Sequence, residues 1–425
     1  MNDTRRSFLK NSSAAAVGSS IVFPTILTGA PANSTLKIGL IGAGGRGSGA
    51  VQQAMKADKD VKLWAIGEAF QDKADSAAAR FKKSHGEQVD VPPDRTFSGL
   101  DAFQKVIDSG VDVVILATPP GFRPQHLRAA VEAKKHIFCE KPMATDAAGV
   151  RSVLESSRIA KANNTAITAG FCWRYSWSRR EAFKRIHEGH IGDIKAYYAT
   201  YYTGVVKPMP STPKPDGMGD IEWQVRNWYN FVWLGGGSLL EQAVHSGDKI
   251  AWAMNDEVPV KCIANGGRAV PALHGGNIFD HYSCVFEYAN GSKAFLASRQ
   301  INNCANENTD YIMGTKGDCF VGKGPKPYMT GENRWRYEGE DPNMYQVEHN
   351  ELFASIRDGK VINDGERMAK STMLAIMGRM ACHTGKEITW DQAINSQEVR
   401  VPEVIDFNAA HEVPPLAVPG FTKFI

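Results

Sequence analysis

Two groups of residues have types and spacings suited to chemistry. The first is Gly42-Ala43-Gly44-Gly45-Arg46-Gly47, a G-x-G-x-x-G string that directly follows the apolar run 36–41. Gly42 allows a tight turn, Gly44 lets backbone approach a pyrophosphate, and Gly47 lets a helix pack closely on its strand. With Gly45 and Arg46 between them, the string sets phosphates at a positive helix N-terminus. A second apolar run, 61–68, ends in Glu68, 21 residues after Gly47. That is the spacing of a carboxylate that accepts hydrogen bonds from an adenosine ribose, and it would repel a 2′-phosphate. The pattern therefore predicts NAD over NADP, with Asp72 a nearby competitor for the role of Glu68. The second group is Glu241, His245, Asp248 and Trp252, at i, i+4, i+7 and i+11 of a helix expected over 238–252. They share one face. An apolar core helix would not line three ionisable groups along its inner face.

The elements that must position these residues follow from periodicity. Apolar runs at 36–41, 61–68, 111–117 and 135–140 alternate with helical patterns at 48–56, 73–83, 100–108 and 126–133. This alternation predicts an α/β fold, a doubly wound parallel Rossmann sheet over residues 33–165 with its ligand at the carboxyl ends of the strands. A second, α+β domain is expected over 166–400. Its strands at 258–264, 279–288, 293–301 and 309–313, joined mostly by Asn-Gly or Lys-Gly turns, fit an open, mainly antiparallel sheet closed by helices at 346–357 and 366–383. The Pro/Gly-rich stretch 204–219 interrupts this half after a strand at 194–202 and reads as a lid or oligomer arm. Asp280 and His281, in the strand at 279–288, are candidates to point into the cleft, although alternation sends one of the two to the far face. A tail, 401–425, carries Pro402, Pro414, Pro415 and Pro419 and is expected to be extended.

Composition narrows the partners. The 425 residues are 43% hydrophobic and 22% charged, a globular profile. Residues 4–10, T-R-R-S-F-L-K, precede a weakly apolar stretch and Ala30-Pro31-Ala32; the order resembles a twin-arginine export signal occupying residues 1–32. It predicts recognition by the twin-arginine export machinery, removal of the signal and a periplasmic location. The remainder holds 46 basic and 45 acidic side chains, which gives no electrostatic reason to expect nucleic acid or an anionic membrane as partner. No stretch is suited to span a bilayer. Seven scattered cysteines lack C-x-x-C or zinc spacing, so neither disulfides nor a metal site is expected.

Ala117-Thr118-Pro119, then His126, then Glu140-Lys141-Pro142 closing a strand, resembles the glucose-fructose oxidoreductase, inositol dehydrogenase and MocA (Gfo/Idh/MocA) family, over roughly residues 37–390. The resemblance implies that Thr118, Pro119, His126, Glu140 and Lys141 line the cofactor, with Lys141 beside the nicotinamide and the reacting hydroxyl. It also implies an acid and a histidine at D-x-x-x-H on a second-domain helix. Here these are Glu241 and His245, glutamate replacing the usual aspartate. His245 would then be the base, Lys141 its electrostatic partner, and Glu241 or Asp248 the orienter. The Phe171-Cys172-Trp173-Arg174-Tyr175 segment resembles one in which an arginine, here Arg174, lines the substrate pocket.

Trp223, Arg226, Trp228 and Tyr229 crowd a short segment with aromatic and polar groups, which fits a carbohydrate platform; core packing or an oligomer interface would use the same tryptophans. The expected function is oxidation or reduction of a secondary hydroxyl of a sugar or glycoside with a tightly held NAD, in a homo-oligomer as is common in the family. Two alternatives stand beside it: an NAD-dependent glycoside hydrolase working by transient oxidation and elimination, and a non-catalytic sugar-binding protein on the same fold.

Overall fold

The computed structural model describes residues 34–324 and 326–425. The twin-arginine segment lies outside the described residues. Six strands, β1 (Leu36–Ile41), β2 (Val61–Glu68), β3 (Thr96–Ser98), β4 (Val113–Leu116), β5 (His136–Cys139) and β6 (Ile167–Ala169), form a parallel sheet in the order β3-β2-β1-β4-β5-β6. Its strands are almost wholly apolar because helices cover both faces. Sequence periodicity gave β1 and β2 with these limits. Strands β3 and β6 are three residues long, too short for a period to register, and β6 lies beyond the boundary expected at 165.

The second sheet has nine strands: β7 (Ile194–Thr203), β8 (Lys261–Gly267), β9 (His281–Glu287), β10 (Lys293–Gln300), β11 (Thr309–Gly314), β12 (Asp318–Gly322), β13 (Tyr328–Met329), β14 (Trp335–Arg336) and β15 (Ile388–Thr389). Their order is β14-β13-β12-β11-β7-β10-β9-β8-β15, antiparallel throughout except for the β7–β10 pair. One face, with Tyr197, Cys284, Phe286, Leu296 and Ile312, packs in the core with the Gly365–Thr384 helix. The opposite face carries half-buried Tyr198, Tyr311, Phe320 and Tyr328, whose rings contact one another in series at 6.0, 5.6 and 4.8 Å.

The halves are interleaved. The Met344–Asp358 helix packs on the first domain's Gly45–Ala57 helix, and its Leu352, Phe353 and Ile356 join Ile38, Leu40, Val51 and Phe138 in one core. Residues 401–425 form no helix or strand and lie along both halves. Among the described residues no helix is long and apolar enough to cross a membrane. Six cysteines are buried, Cys304 is exposed, and all seven are free thiols.

Candidate active site

A cleft of about 860 Å³ runs along the carboxyl ends of the first sheet and under the second domain. At one end four glycines do three different jobs. Gly42 has φ +93° and lies so close to the Ala117–Thr118 backbone that a Cβ would meet it at 2.8 Å. A Cβ on Gly47 would sit 2.0 Å from the Gly42 carbonyl, so only glycine lets the helix start there. Gly44 and Gly45 face open cleft, with nothing within 4 Å of a Cβ. Glu68, at the tip of β2, accepts from the Ala43 amide at 2.8 Å through one oxygen and from the Ala69 amide at 2.8 Å through the other. Each carboxylate oxygen keeps a lone pair for a further donor. Asp72, in the first turn of the Gln71–His85 helix, lines the same end. An unobstructed glycine loop at a helix start, beside a fixed carboxylate, has the shape and donor set of an NAD site.

At the centre of the cleft, Arg46 pairs with Glu140, its Nε at 2.9 Å, and its guanidinium lies 4.6 Å from the Tyr345 ring. Burial opposes ionisation of Glu140, but Arg46 and Lys141 outweigh it and hold the carboxyl below its usual range. Gly170 makes room for this carboxylate: a Cβ there would be 2.8 Å from it. Buried Arg123 donates to the carbonyls of Thr118 and Pro142, tying together the two turns that carry Thr118-Pro119 and Glu140-Lys141. His126 lines the cleft with Thr118 and Pro119, stacked 4.2 Å from Phe103 with Nδ1 3.2 Å from the Thr118 hydroxyl; burial pushes its pKa down to about 3. It is neutral.

Lys141 reaches across to the second domain. Its Nζ donates to the Glu241 carbonyl and lies 3.4 Å from the Glu241 carboxylate. The helix expected over 238–252 begins instead with a π-helical turn, Leu239–Ala243, before Val244–Ala253 continues as α-helix. Such wide turns recur where a helix carries a site. Here Glu241, Gln242 and His245 all line the cleft. Burial raises the Glu241 pKa, Lys141 only partly opposing it. Burial, with Lys141 and Lys249, holds His245 well below the usual imidazole range, and its Nδ1 has no hydrogen-bond partner. A neutral imidazole, a lysine ammonium and a carboxyl thus converge on one point of the cleft.

Not every expected residue reaches it. Asp248 lies a turn deeper and is fully occupied by Arg174 Nε, at 3.1 and 3.0 Å, and by the Ser371 hydroxyl at 2.7 Å. Arg174 spends its remaining donors on Asp256 and the Asp248 carbonyl. Both are buried behind the cleft, and the neighbouring Trp173 lines it in place of Arg174. Of the aromatic segment, Trp228 and Tyr229 line the cleft. Trp223 packs edge-on against Phe231, and Arg226 pairs with Glu222 at 2.7 Å and covers the Phe70 ring. Asp280 and His281 bond to each other at 2.8 Å away from the cleft.

Sequence reasoning passed over Trp173, Tyr201, Gln242 and Tyr345, all of which line the cleft. Tyr201 belongs to the inward set Tyr197-Ala199-Tyr201 of β7, a period-two signal that was available. Its hydroxyl donates to Gln242 Oε1 at 3.1 Å, and burial pushes its pKa up to about 12. Gln242 could not be found from α-helical spacing, which turns it away from Glu241; the π turn brings it in.

Comparison with known proteins agrees with this geometry. Residues 36–171 match the oxidoreductase family with an NAD-binding Rossmann fold, and residues 180–319 match the GFO/IDH/MocA C-terminal domain. Inositol 2-dehydrogenase of Rhizobium meliloti (strain 1021) is 25% identical over 284 residues, 67% of this chain and 74% of that protein. Inositol 2-dehydrogenase 4 of Saccharopolyspora erythraea is 31% identical over 161 residues, 38% of this chain and 43% of that protein. Among solved structures, a levoglucosan dehydrogenase in complex with NADH and levoglucosan superposes with a TM-score of 0.67 at 20% identity, covering 84% of this chain and 99% of that one. With both halves matched in order and the E-K-P lysine at the cleft, the chain belongs to the Gfo/Idh/MocA family of oxidoreductases, its first half carrying the family's NAD-binding Rossmann fold.

Proposed function

We propose that this protein is an NAD-dependent oxidoreductase that oxidises or reduces a secondary CH–OH group of a sugar, cyclic polyol or glycoside, and that it keeps its cofactor through turnover. The convergence of Lys141, Glu241 and neutral His245 beside an open glycine loop carries this reading. NAD, when bound, supplies the hydride acceptor. The protein's own groups manage the proton: Lys141 holds the hydroxyl oxygen as negative charge develops, and His245 accepts its hydrogen. A depressed pKa suits this task, because His245 is in its accepting form at neutral pH. Glu241 fixes the Lys141 ammonium against the π turn. Trp173, Trp228 and Tyr229 provide aromatic surface for a sugar ring. Similarity to proteins named inositol 2-dehydrogenase supports the substrate class.

The test is to purify the protein without added nucleotide, denature it and identify any dinucleotide released. Near one NAD(H) per chain is expected, and NADP would refute the role of Glu68. No dinucleotide, with no NADH formed on inositols, anhydrosugars or glycosides, would overturn the proposal. A second reading is glycoside cleavage by transient oxidation and elimination, which would use the same Lys141, His245 and buried Glu241. Release of an aryl leaving group without net NADH would distinguish it. We further propose export by the twin-arginine route, which Arg5→Lys with Arg6→Lys would abolish in a cell-fractionation assay. The aromatic outer face of the second sheet supports a homo-oligomer, to be read from the solution mass.

A further inference from the structure

Phe70 follows Glu68 by two residues and lines the adenosine end of the cleft with Ala69 and Leu100. In the described structure it does not stand at an open edge. Its ring stacks on Phe407 of the C-terminal tail, centroids 5.4 Å apart and planes 12° apart, and the Arg226 guanidinium lies 3.8 Å from the same ring. The tail in turn is pinned to the second domain. The His411 amide donates to Asp220 at 3.0 Å, Gln224 donates to the His411 carbonyl at 2.8 Å, and Asn277 donates to the Pro414 carbonyl at 3.2 Å. Gly219 passes so close that a Cβ would overlap the Phe407 carbonyl, at 1.8 Å. Upstream, the Arg400 amide donates to Asp146 of the first half at 2.9 Å. Phe70, Phe122, Ile221, Val225, Phe231 and Trp233 thereby share one apolar cluster with the tail's Val401, Ile405, Phe407 and Val413.

We propose that residues 401–413 are a strap that clamps the adenosine edge of the first domain to the second and so sets how long the dinucleotide stays bound. The inference rests on the reading that NAD occupies this cleft. A dinucleotide leaving by that end needs the Glu68–Phe70 edge to part from the 220–234 segment, and the strap is joined to both. Phe407 touches Phe70 but does not itself line the cleft, so its effect is on the parting and not on the contacts of the bound cofactor. Opening has to separate a stacked aromatic pair and expose part of an apolar cluster, a cost that enters the release rate.

The experiment follows the fluorescence of NADH bound to the full-length protein after a chase with excess NAD. Phe407→Ala is expected to speed release by about tenfold or more, each tenfold being about 1.4 kcal/mol. Asp220→Ala, which frees the His411 anchor, should act in the same direction. Phe421→Ala, at an exposed position beyond the strap, should release NADH at the wild-type rate. A thermal melt verifies that each variant is folded. Wild-type release rates in both Phe407→Ala and Asp220→Ala overturn the strap while leaving cofactor binding intact. A wild-type protein that neither carries NAD(H) as purified nor binds added NADH overturns the underlying reading before any variant is made.

Discussion

Gly44 and Gly47 are three residues apart in one loop, and the structure separates their purposes sharply enough to test by single methyl groups. At Gly44 the backbone is ordinary, φ −67° and ψ −172°, and a Cβ would meet nothing within 4 Å. Gly44→Ala should therefore fold almost normally, losing no more than about 1 kcal/mol for a poorer helix cap. Its methyl enters the space reserved for the pyrophosphate. An overpacked contact costs about 1–3 kcal/mol, which corresponds to a dissociation constant for NADH raised by about 5- to 150-fold. At Gly47 the clash is with main chain, 2.0 Å from the Gly42 carbonyl, with Leu40 and Ala117 at 3.0 and 3.2 Å behind it. The backbone cannot swing aside as a side chain would. Gly47→Ala should lower stability by about 1–3 kcal/mol or more and the melting temperature by several degrees. NADH fluorescence titration and a thermal melt on both variants read the two effects separately. An unaltered NADH affinity in Gly44→Ala would refute the loop as a pyrophosphate cradle; an unaltered melt in Gly47→Ala would refute the close approach.

Further outcomes follow from the same geometry. Lys141→Met should lower kcat by about 10²- to 10⁴-fold while dinucleotide content stays near that of the wild type, and unchanged turnover of a sugar substrate would remove Lys141 from the chemistry. Trp228→Ala should raise KM, since Trp228 lines the cleft, whereas Trp223→Ala should lower the melting temperature with little change in KM. The reverse pattern would reinstate the wider aromatic platform. His349 is fully buried against Phe138, and burial pushes its pKa down to about 4 from an unfolded value near 6.5. Its contribution to stability is complete above the unfolded pKa and is lost as pH falls from about 6.5 toward 4, because the unfolded chain binds the proton first. Urea unfolding should thus find His349→Phe gaining on the wild type over that range; parallel pH profiles would mean that His349 is not buried neutral.

How much of this was legible beforehand depended on whether a signal was local. The limits of β1 and β2 and the glycine loop were, since a fully apolar strand and a G-x-G-x-x-G string are written in consecutive residues. Lys141, Glu241 and His245 were reached through the family resemblance, on the E-K-P and D-x-x-x-H patterns, with helical spacing placing Glu241 and His245 on one face. The same spacing extended the row to Asp248, which the structure gives to Arg174 and Ser371 instead, because a turn deeper into the helix the nearest neighbours are core and not cleft. Arg174 and Trp173 exchange places for a related reason: a one-residue shift within a short 3-10 turn, Cys172–Tyr175, decides which side chain faces the opening. Arg226 belongs to the contact between halves, a long-range pairing with Phe70 that no window of sequence reports, and Trp223 is taken up by the nearby Phe231 ring within its own segment.

The return of the Met344–Asp358 helix to the first sheet bears on synthesis. Leu352, Phe353 and Ile356 complete a core that begins at Leu36, and Arg357 bonds Asp58 at 2.7 Å and the Ser34 carbonyl at 2.8 Å. A nascent chain emerging from the ribosome therefore carries an unfinished nucleotide-binding half for most of its translation, with apolar surface on the Gly45–Ala57 helix waiting for a segment some 300 residues downstream. Domain-by-domain folding during synthesis is denied to it. A fragment ending near residue 170 should accumulate as an aggregation-prone species, and the chain should depend on holdase chaperones until its last quarter is made.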